Sequence, residues 1–243
     1  MDIGRIFHTF ASFFNLFPCP LCKEGDGNGC NDLCAECRRK IKFIDPAQRC
    51  RGCGGIKDGV LAVCSKCLAE KRRPWQDAAA IFHYFGKGKD LITAFKDGNA
   101  PEIAGTLGRL GAEVYRQSGI CADVIVPIPL HFFRLLKRQY NQSELFARQL
   151  GGKINLPVVR GLRRISIGKK QAGLGRSARL RNARHRFRAV NLKSFANKRV
   201  LLVDDVFTTG ATCDAAARVL LKAGAASVSV LCCARTPKHG EVK

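Results

Sequence analysis

At 243 residues and 46% hydrophobic composition, the chain has enough apolar side chains to bury a sizeable core, which excludes disorder as its default state. A formal charge of +23 asks for an anionic partner, and the excess is uneven: residues 131–199 hold 19 Lys or Arg against one acid, Glu144. Charge selects the sign of a ligand but not its identity, since polyphosphate, nucleic acid and a plain solvated face all suit a basic run.

In chain order, Ile3, Phe7, Phe10, Phe14 and Phe17 recur every three or four residues and predict an amphipathic helix with an aromatic stripe. Few basic groups lie on its polar face, so packing against its own protein is expected over a membrane surface. Polar groups interrupt Ile6–Phe10 and no small-residue cleavage site precedes Pro18, so a reducing, cytoplasmic compartment is expected. No apolar run approaches the roughly 18 to 20 residues of a transmembrane helix.

Eight of the 13 cysteines form four Cys-x-x-Cys pairs: Cys19 with Cys22, Cys34 with Cys37, Cys50 with Cys53, and Cys64 with Cys67. Two residues between thiolates turn both sulfurs onto one ion, and two pairs complete a tetrahedral four-sulfur site. Structural Zn2+ is predicted, with two sequential centres as the natural arrangement and crossed pairing left open. Four sulfurs per ion leave no position for a substrate, and two filled sites bring the net charge to about +19. Stapling a lobe too small to fold unaided is the expected role. Lys71-Arg72-Arg73-Pro74 marks the predicted boundary between residues 1–74, the helix and double zinc ribbon, and residues 75–243.

Downstream the pattern is α/β. Ala79–Phe85 reads as a strand, Lys89–Phe95 as a short helix, and Pro101–Arg116 as a longer helix with Pro101 in its first turn. Asp123–Pro129 reads as a strand, and Asn141–Gln149 as a helix with Asn141 and Glu144 spaced as a variant capping box. Pro157–Gly161 predicts a short strand, and Arg163–Arg188, polar and Arg-rich without clean periodicity, a mobile loop. Arg199–Val203, Ala211–Ala223 and Ser227–Cys233 predict strand, helix and strand, a βαβ unit that implies a mostly parallel sheet.

The segment Val203-Asp204-Asp205-Val206-Phe207-Thr208-Thr209-Gly210-Ala211-Thr212 carries the chemistry. A helix entry offers backbone N–H groups and the positive dipole end; Thr208, Thr209 and Thr212 add hydroxyls, and Gly210 lets the backbone approach an anion. Asp204 and Asp205 would repel a phosphate at contact, yet one ribose length away they can accept hydrogen bonds from sugar hydroxyls. A plain turn with an ordinary N-cap explains each residue singly but not their order.

This segment resembles the signature of type I phosphoribosyltransferases that binds 5-phosphoribosyl 1-pyrophosphate (PRPP). The whole chain from residue 16 to 236 is similar to the ComF family, which also takes in gluconate-utilisation-related relatives. Supporting matches are Tyr84 with Lys96, Val126-Pro127-Ile128-Pro129, Arg138 to Gln142, and Gln171, Leu174, Arg179, Asn182 and Phe187; the resemblance departs at Gln139, where the family usually has Gly. It implies a type I phosphoribosyltransferase fold behind a double zinc ribbon. By the same resemblance Asp204 and Asp205 hold the ribose, Thr208, Thr209, Gly210, Ala211 and Thr212 its 5′-phosphate, and Pro127, Ile128 and Arg138, with Arg134 and Lys137 nearby, the pyrophosphate. Lys169, Lys170, Arg176 and Arg179 would lie on a closing loop, and Mg2+ would bridge phosphate oxygens, held by Asp204 or Asp205 directly or through water. His83 and His131 have no partner carboxylate in view and are read as structural or surface groups. Transfer of phosphoribosyl from PRPP to an acceptor is the leading function, linked to DNA uptake. The alternatives are a non-catalytic factor that binds single-stranded DNA or competence proteins, and a PRPP-sensing regulator.

Overall fold

The computed structural model describes residues 18–24, 32–70, 73–98, 100–130, 140–165, 187–238 and 241–242. The aromatic stripe of residues 3–17 lies outside them. Two short helices, α1 (Ala35–Lys40) and α2 (Ser65–Ala69), precede a four-stranded sheet. Its strands are β1 (Asp77–His83), β2 (Val124–Pro127), β5 (Arg199–Phe207) and β6 (Ser227–Arg235), in the order β1-β6-β5-β2. All three pairings are parallel, as the βαβ pattern predicts.

Helices cover both faces, so the strands read as continuous apolar runs. One face packs Ile81, Leu201, Val203 and Leu231 against α3 (Gly86–Asp97), α4 (Ile103–Ser118) and α5 (Gln142–Ile154), through Phe95, Leu107 and Phe146. The other packs Ala78, Val124, Val200, Leu202 and Val230 against α6 (Ala211–Lys222), Phe195 and Trp75. Phe82, Phe95, Phe146 and Phe195 are fully buried, each contributing about 2–3 kcal/mol of hydrophobic stabilisation.

The cysteine-rich lobe closes the β1 edge. Phe43 bridges Phe82 and Gly54 bridges Ala79, while the Ile44 N–H donates to the Ile81 carbonyl at 3.0 Å. Cys19, Cys34 and Cys37 belong to the apolar cluster on the α4 face, and Cys50, Cys53 and Cys64 to the cluster on the α6 face. The two four-cysteine groups therefore straddle the edge strand, one per face, and the lobe bridges that edge at Phe82 and Ala79.

Several elements differ from expectation for local reasons. Helix α3 begins at Gly86 rather than Lys89, because two glycines hide its first turn; at Gly88 a Cβ would meet the His83 carbonyl oxygen at 2.6 Å. Pro101 stands two residues ahead of α4, where its carbonyl already accepts the Ala104 N–H. Strand β5 continues past Val203 to Phe207, since pairing with β6 carries on through Asp204 opposite Cys232. Pro157–Gly161 makes one bridge, Val158 to Ile125, instead of a strand. Both ends of the predicted loop are paired: β3 (Leu162–Arg164) lies antiparallel to β4 (Phe187–Ala189), and residues 166–186 fall outside the described segments. The capping box is half made. Asn141 accepts the Ser143 N–H, but Glu144 turns away to Arg148 and Arg160.

Candidate functional site

Each four-cysteine group is sequential: Cys19, Cys22, Cys34 and Cys37 in one, Cys50, Cys53, Cys64 and Cys67 in the other, with the sulfurs of each group within 4.8 Å of one another. A tetrahedron of Zn–S bonds near 2.3 Å has edges of about 3.8 Å. The sulfurs of Cys22 and Cys34 are 3.8 Å apart, and those of Cys53 and Cys64 3.9 Å. Backbone N–H groups already point at two of them, Cys37 to Cys34 at 3.4 Å and Cys64 to Cys50 at 3.2 Å. Crowding by neighbouring sulfur and burial push the Cys53 thiol up to about 12, and burial followed by the charge on Cys53 does the same to Cys67. Four sulfurs so close ionise together only around a cation, so both groups fit Zn2+.

At the carboxyl end of the sheet, inner strand β5 and its neighbour β2 build a second site. Asp204 is buried, and its Oδ1 accepts the Ser143 hydroxyl at 3.0 Å and the Asp205 N–H at 2.9 Å. Ser143 stands in the first turn of α5, whose N-cap Asn141 is anchored by its own amide to the Ile128 carbonyl at 3.1 Å. Burial, then the charge of Asp205, pushes the Asp204 carboxyl up to about 7. Asp205 faces the other way along the strand and pairs with Lys96 at 2.9 Å, from the last turn of α3. One carboxylate is thus held by a neutral donor and the other by a cation.

Strand β5 then turns into α6. Thr208, Thr209 and Ala211 are exposed, Thr212 is half-buried, and Gly210 is buried. Thr209 Oγ1 accepts the Ala211 N–H at 3.3 Å, so one helix-entry N–H is already occupied. Gly210 is the N-cap at φ 79°, and a Cβ there would meet the Phe207 ring at 2.6 Å. Only glycine suits both demands. Gly210→Ala is expected to cost about 1–2 kcal/mol from backbone strain alone, read as a lower urea midpoint; an unchanged midpoint would show the turn to be pliable.

Pro127 ends β2, and the Ile128 N–H donates to the Val203 carbonyl at 2.9 Å, which sets both beside the acids. Arg138, Lys170 and Arg179 lie outside the described residues, as do His131, Arg134, Lys137, Gln139, Lys169, Gln171, Leu174, Arg176 and Asn182. His83 is buried, which holds its pKa below the usual imidazole range. Sequence reasoning gave Ser143 no role, since nothing local ties it to a residue 61 positions away, and it named Lys96 as a family match without the Asp205 contact.

A parallel sheet whose inner strand ends in two carboxylates and a hydroxyl-rich helix entry, with two four-cysteine groups beside its edge strand, defines a class of α/β protein whose turn has the chemistry to receive an anion. The phosphoribosyl transferase domain model matches residues 99–243. Competence protein F of Haemophilus influenzae is 33% identical over 227 residues, covering 90% of this chain and 96% of its own length. DNA utilization protein YhgH of Escherichia coli is 30% identical over 224 residues, with the same coverage. Competence protein ComFC of Bacillus subtilis is 31% identical over 206 residues, 81% of each chain. The chain belongs to the phosphoribosyl transferase domain family, in its ComF branch, as the motifs implied.

Proposed function

We propose that the chain binds the ribose 5-phosphate end of PRPP and transfers its phosphoribosyl group to an acceptor. The observation that carries this reading is the order along one strand, turn and helix: two separately held acids, then exposed hydroxyls, then a glycine entry to α6. Asp204 and Asp205 would accept the ribose hydroxyls, and Thr208 to Thr212 would surround the 5′-phosphate. Pro127, Ile128 and Arg138, together with Lys170 and Arg179, would meet the pyrophosphate. Mg2+ would arrive with PRPP and neutralise its phosphate oxygens.

In the transfer, the bond between ribose C1 and the pyrophosphate oxygen breaks, its electron pair leaving with pyrophosphate, as the acceptor's lone pair bonds C1. The carboxylates beside the ring favour the positive charge that develops there. A pyrophosphate-release screen across nucleobases and amines, with PRPP and Mg2+, tests turnover. Release that depends on one acceptor supports it, and none with any acceptor would leave a PRPP-binding regulator.

A second reading draws on the basic charge. A cleft of about 1050 Å³ between α5 and the β3–β4 pair is lined by Arg148, Arg160, Arg163 and Arg164 with one acid, Glu144. Relatives are named for competence and for DNA utilization. A single-stranded DNA binder would show affinity that falls steeply with salt and ignores PRPP, whereas the transferase reading expects Mg2+-dependent PRPP binding that is lost in Asp204→Asn, Asp205→Asn. Among the described residues no helix is long and apolar enough to cross a membrane.

A further inference from the structure

Two arms run from the second four-cysteine group to the phosphate turn. The first starts at Gly52, inside the Cys50–Cys53 knuckle, where a Cβ would meet the Cys67 Cβ and Sγ at 3.0 Å. Its carbonyl accepts the Trp75 Nε1–H at 3.0 Å. The Trp75 ring stands edge-on to Phe207, centroids 6.0 Å apart and planes at 89°, and Phe207 is the ring that lies beneath Gly210.

The second arm starts at α2, which opens on Cys64, contains Cys67 and ends on Glu70. The Glu70 carboxylate pairs with Arg73. Arg73 lies over the Trp75 ring, 5.5 Å from its centroid, and donates from Nη1 to the Thr209 carbonyl at 3.3 Å. Both arms thus end on residues 207–210. Among the described residues the first four-cysteine group is tied elsewhere, through Asp32 to Arg109 and through Lys23 to Glu102, both partners belonging to α4 or its N-cap.

We propose that the second metal centre sets the conformation of the phosphate turn, and that Arg73 is the positioning residue that carries the coupling. A turn that presents N–H groups to a dianion loses affinity when those groups stray by a fraction of an ångström. The Phe207 ring packs beneath Gly210 and Arg73 holds the Thr209 carbonyl, so the turn's shape depends on both. Metal bound at Cys50, Cys53, Cys64 and Cys67 fixes Gly52 and Glu70 together, which holds both arms in register; without it, four crowded sulfurs have no common centre. What the turn binds rests on the ribose-phosphate reading above, whereas the coupling itself does not.

The test compares full-length, zinc-loaded native chain with Arg73→Met, Arg73→Lys, Trp75→Phe, Cys67→Ser and Cys22→Ser. Zinc per chain, amide hydrogen exchange over residues 207–213 and calorimetric affinity for ribose 5-phosphate are measured for each. Arg73→Met is expected to keep its zinc, exchange faster in the turn and bind about tenfold more weakly, the loss of one charge-assisted hydrogen bond, with partial recovery in Arg73→Lys. Cys67→Ser speeds exchange in the turn and Cys22→Ser does not. Unchanged exchange in both Arg73→Met and Cys67→Ser overturns the coupling. If Arg73→Met does not fold, Trp75→Phe decides, since it keeps a ring in place and loses only the bond to Gly52. If the native chain binds no ribose 5-phosphate, the ribose-phosphate reading fails while the exchange data still judge the coupling.

Discussion

The double variant Asp204→Asn, Asp205→Asn is expected to lose labelled PRPP in equilibrium dialysis with Mg2+, with affinity at least about a hundredfold below that of the native chain. On the proposed reading each carboxylate would accept from a sugar hydroxyl, and such charge-assisted bonds are worth about 1.5–3 kcal/mol apiece. Removing two therefore costs about two decades or more. Zinc content and circular dichroism should persist, because neither carboxylate belongs to a four-cysteine group and asparagine matches aspartate in size. Asparagine also leaves Lys96 without its anion, which adds to the loss. Native-like affinity in the double variant would show that the acids do not touch the ligand.

The single variant Asp204→Asn is expected to be more stable than the native chain at pH 8, and more so there than at pH 5. The cause is the Asp204 carboxyl, buried beside Asp205 and pushed from its ordinary 3.8 up to about 7. A raised carboxyl favours the folded state fully below pH 3.8, and that contribution fades as the pH rises towards 7. Above 7 the folded chain carries a buried carboxylate in full, whereas asparagine is neutral throughout. The gain at pH 8 is on the order of 2 kcal/mol, or about 4–8 °C in melting temperature for a chain of this size. Thermal melts at the two pH values decide the matter, and an equal shift at both would mean that Asp204 is not held as an acid in the fold. Such a trade of stability for a charged group is common where function needs it.

The βαβ unit was legible because its signals are local: an apolar run, a glycine-bearing helix entry and a second apolar run within residues 199–235. The cysteine pairs were legible for the same reason, since a two-residue spacing is chemistry written in sequence. Sequential grouping was the expected arrangement, but crossed pairing obeys the same spacing; the fold, which sends one group to each face of β1, bears out the sequential one. The start of α3 was lost to Gly86 and Gly88, poor helix formers kept for turn geometry and for close approach to His83. The site was legible along β5 and its turn but not across it. Ser143 on α5, Lys96 on α3 and Arg73 ahead of β1 reach Asp204, Asp205 and Thr209, and no short-range pattern records a contact that forms only when the sheet closes.

Titration calorimetry of the native, zinc-loaded chain with ribose 5-phosphate and with PRPP plus Mg2+ meets the account most directly. Saturable one-to-one heat with both ligands, tighter for PRPP by the added pyrophosphate contacts, is the predicted result. Absence of heat with either, in a chain that holds its zinc and melts cooperatively, would contradict it.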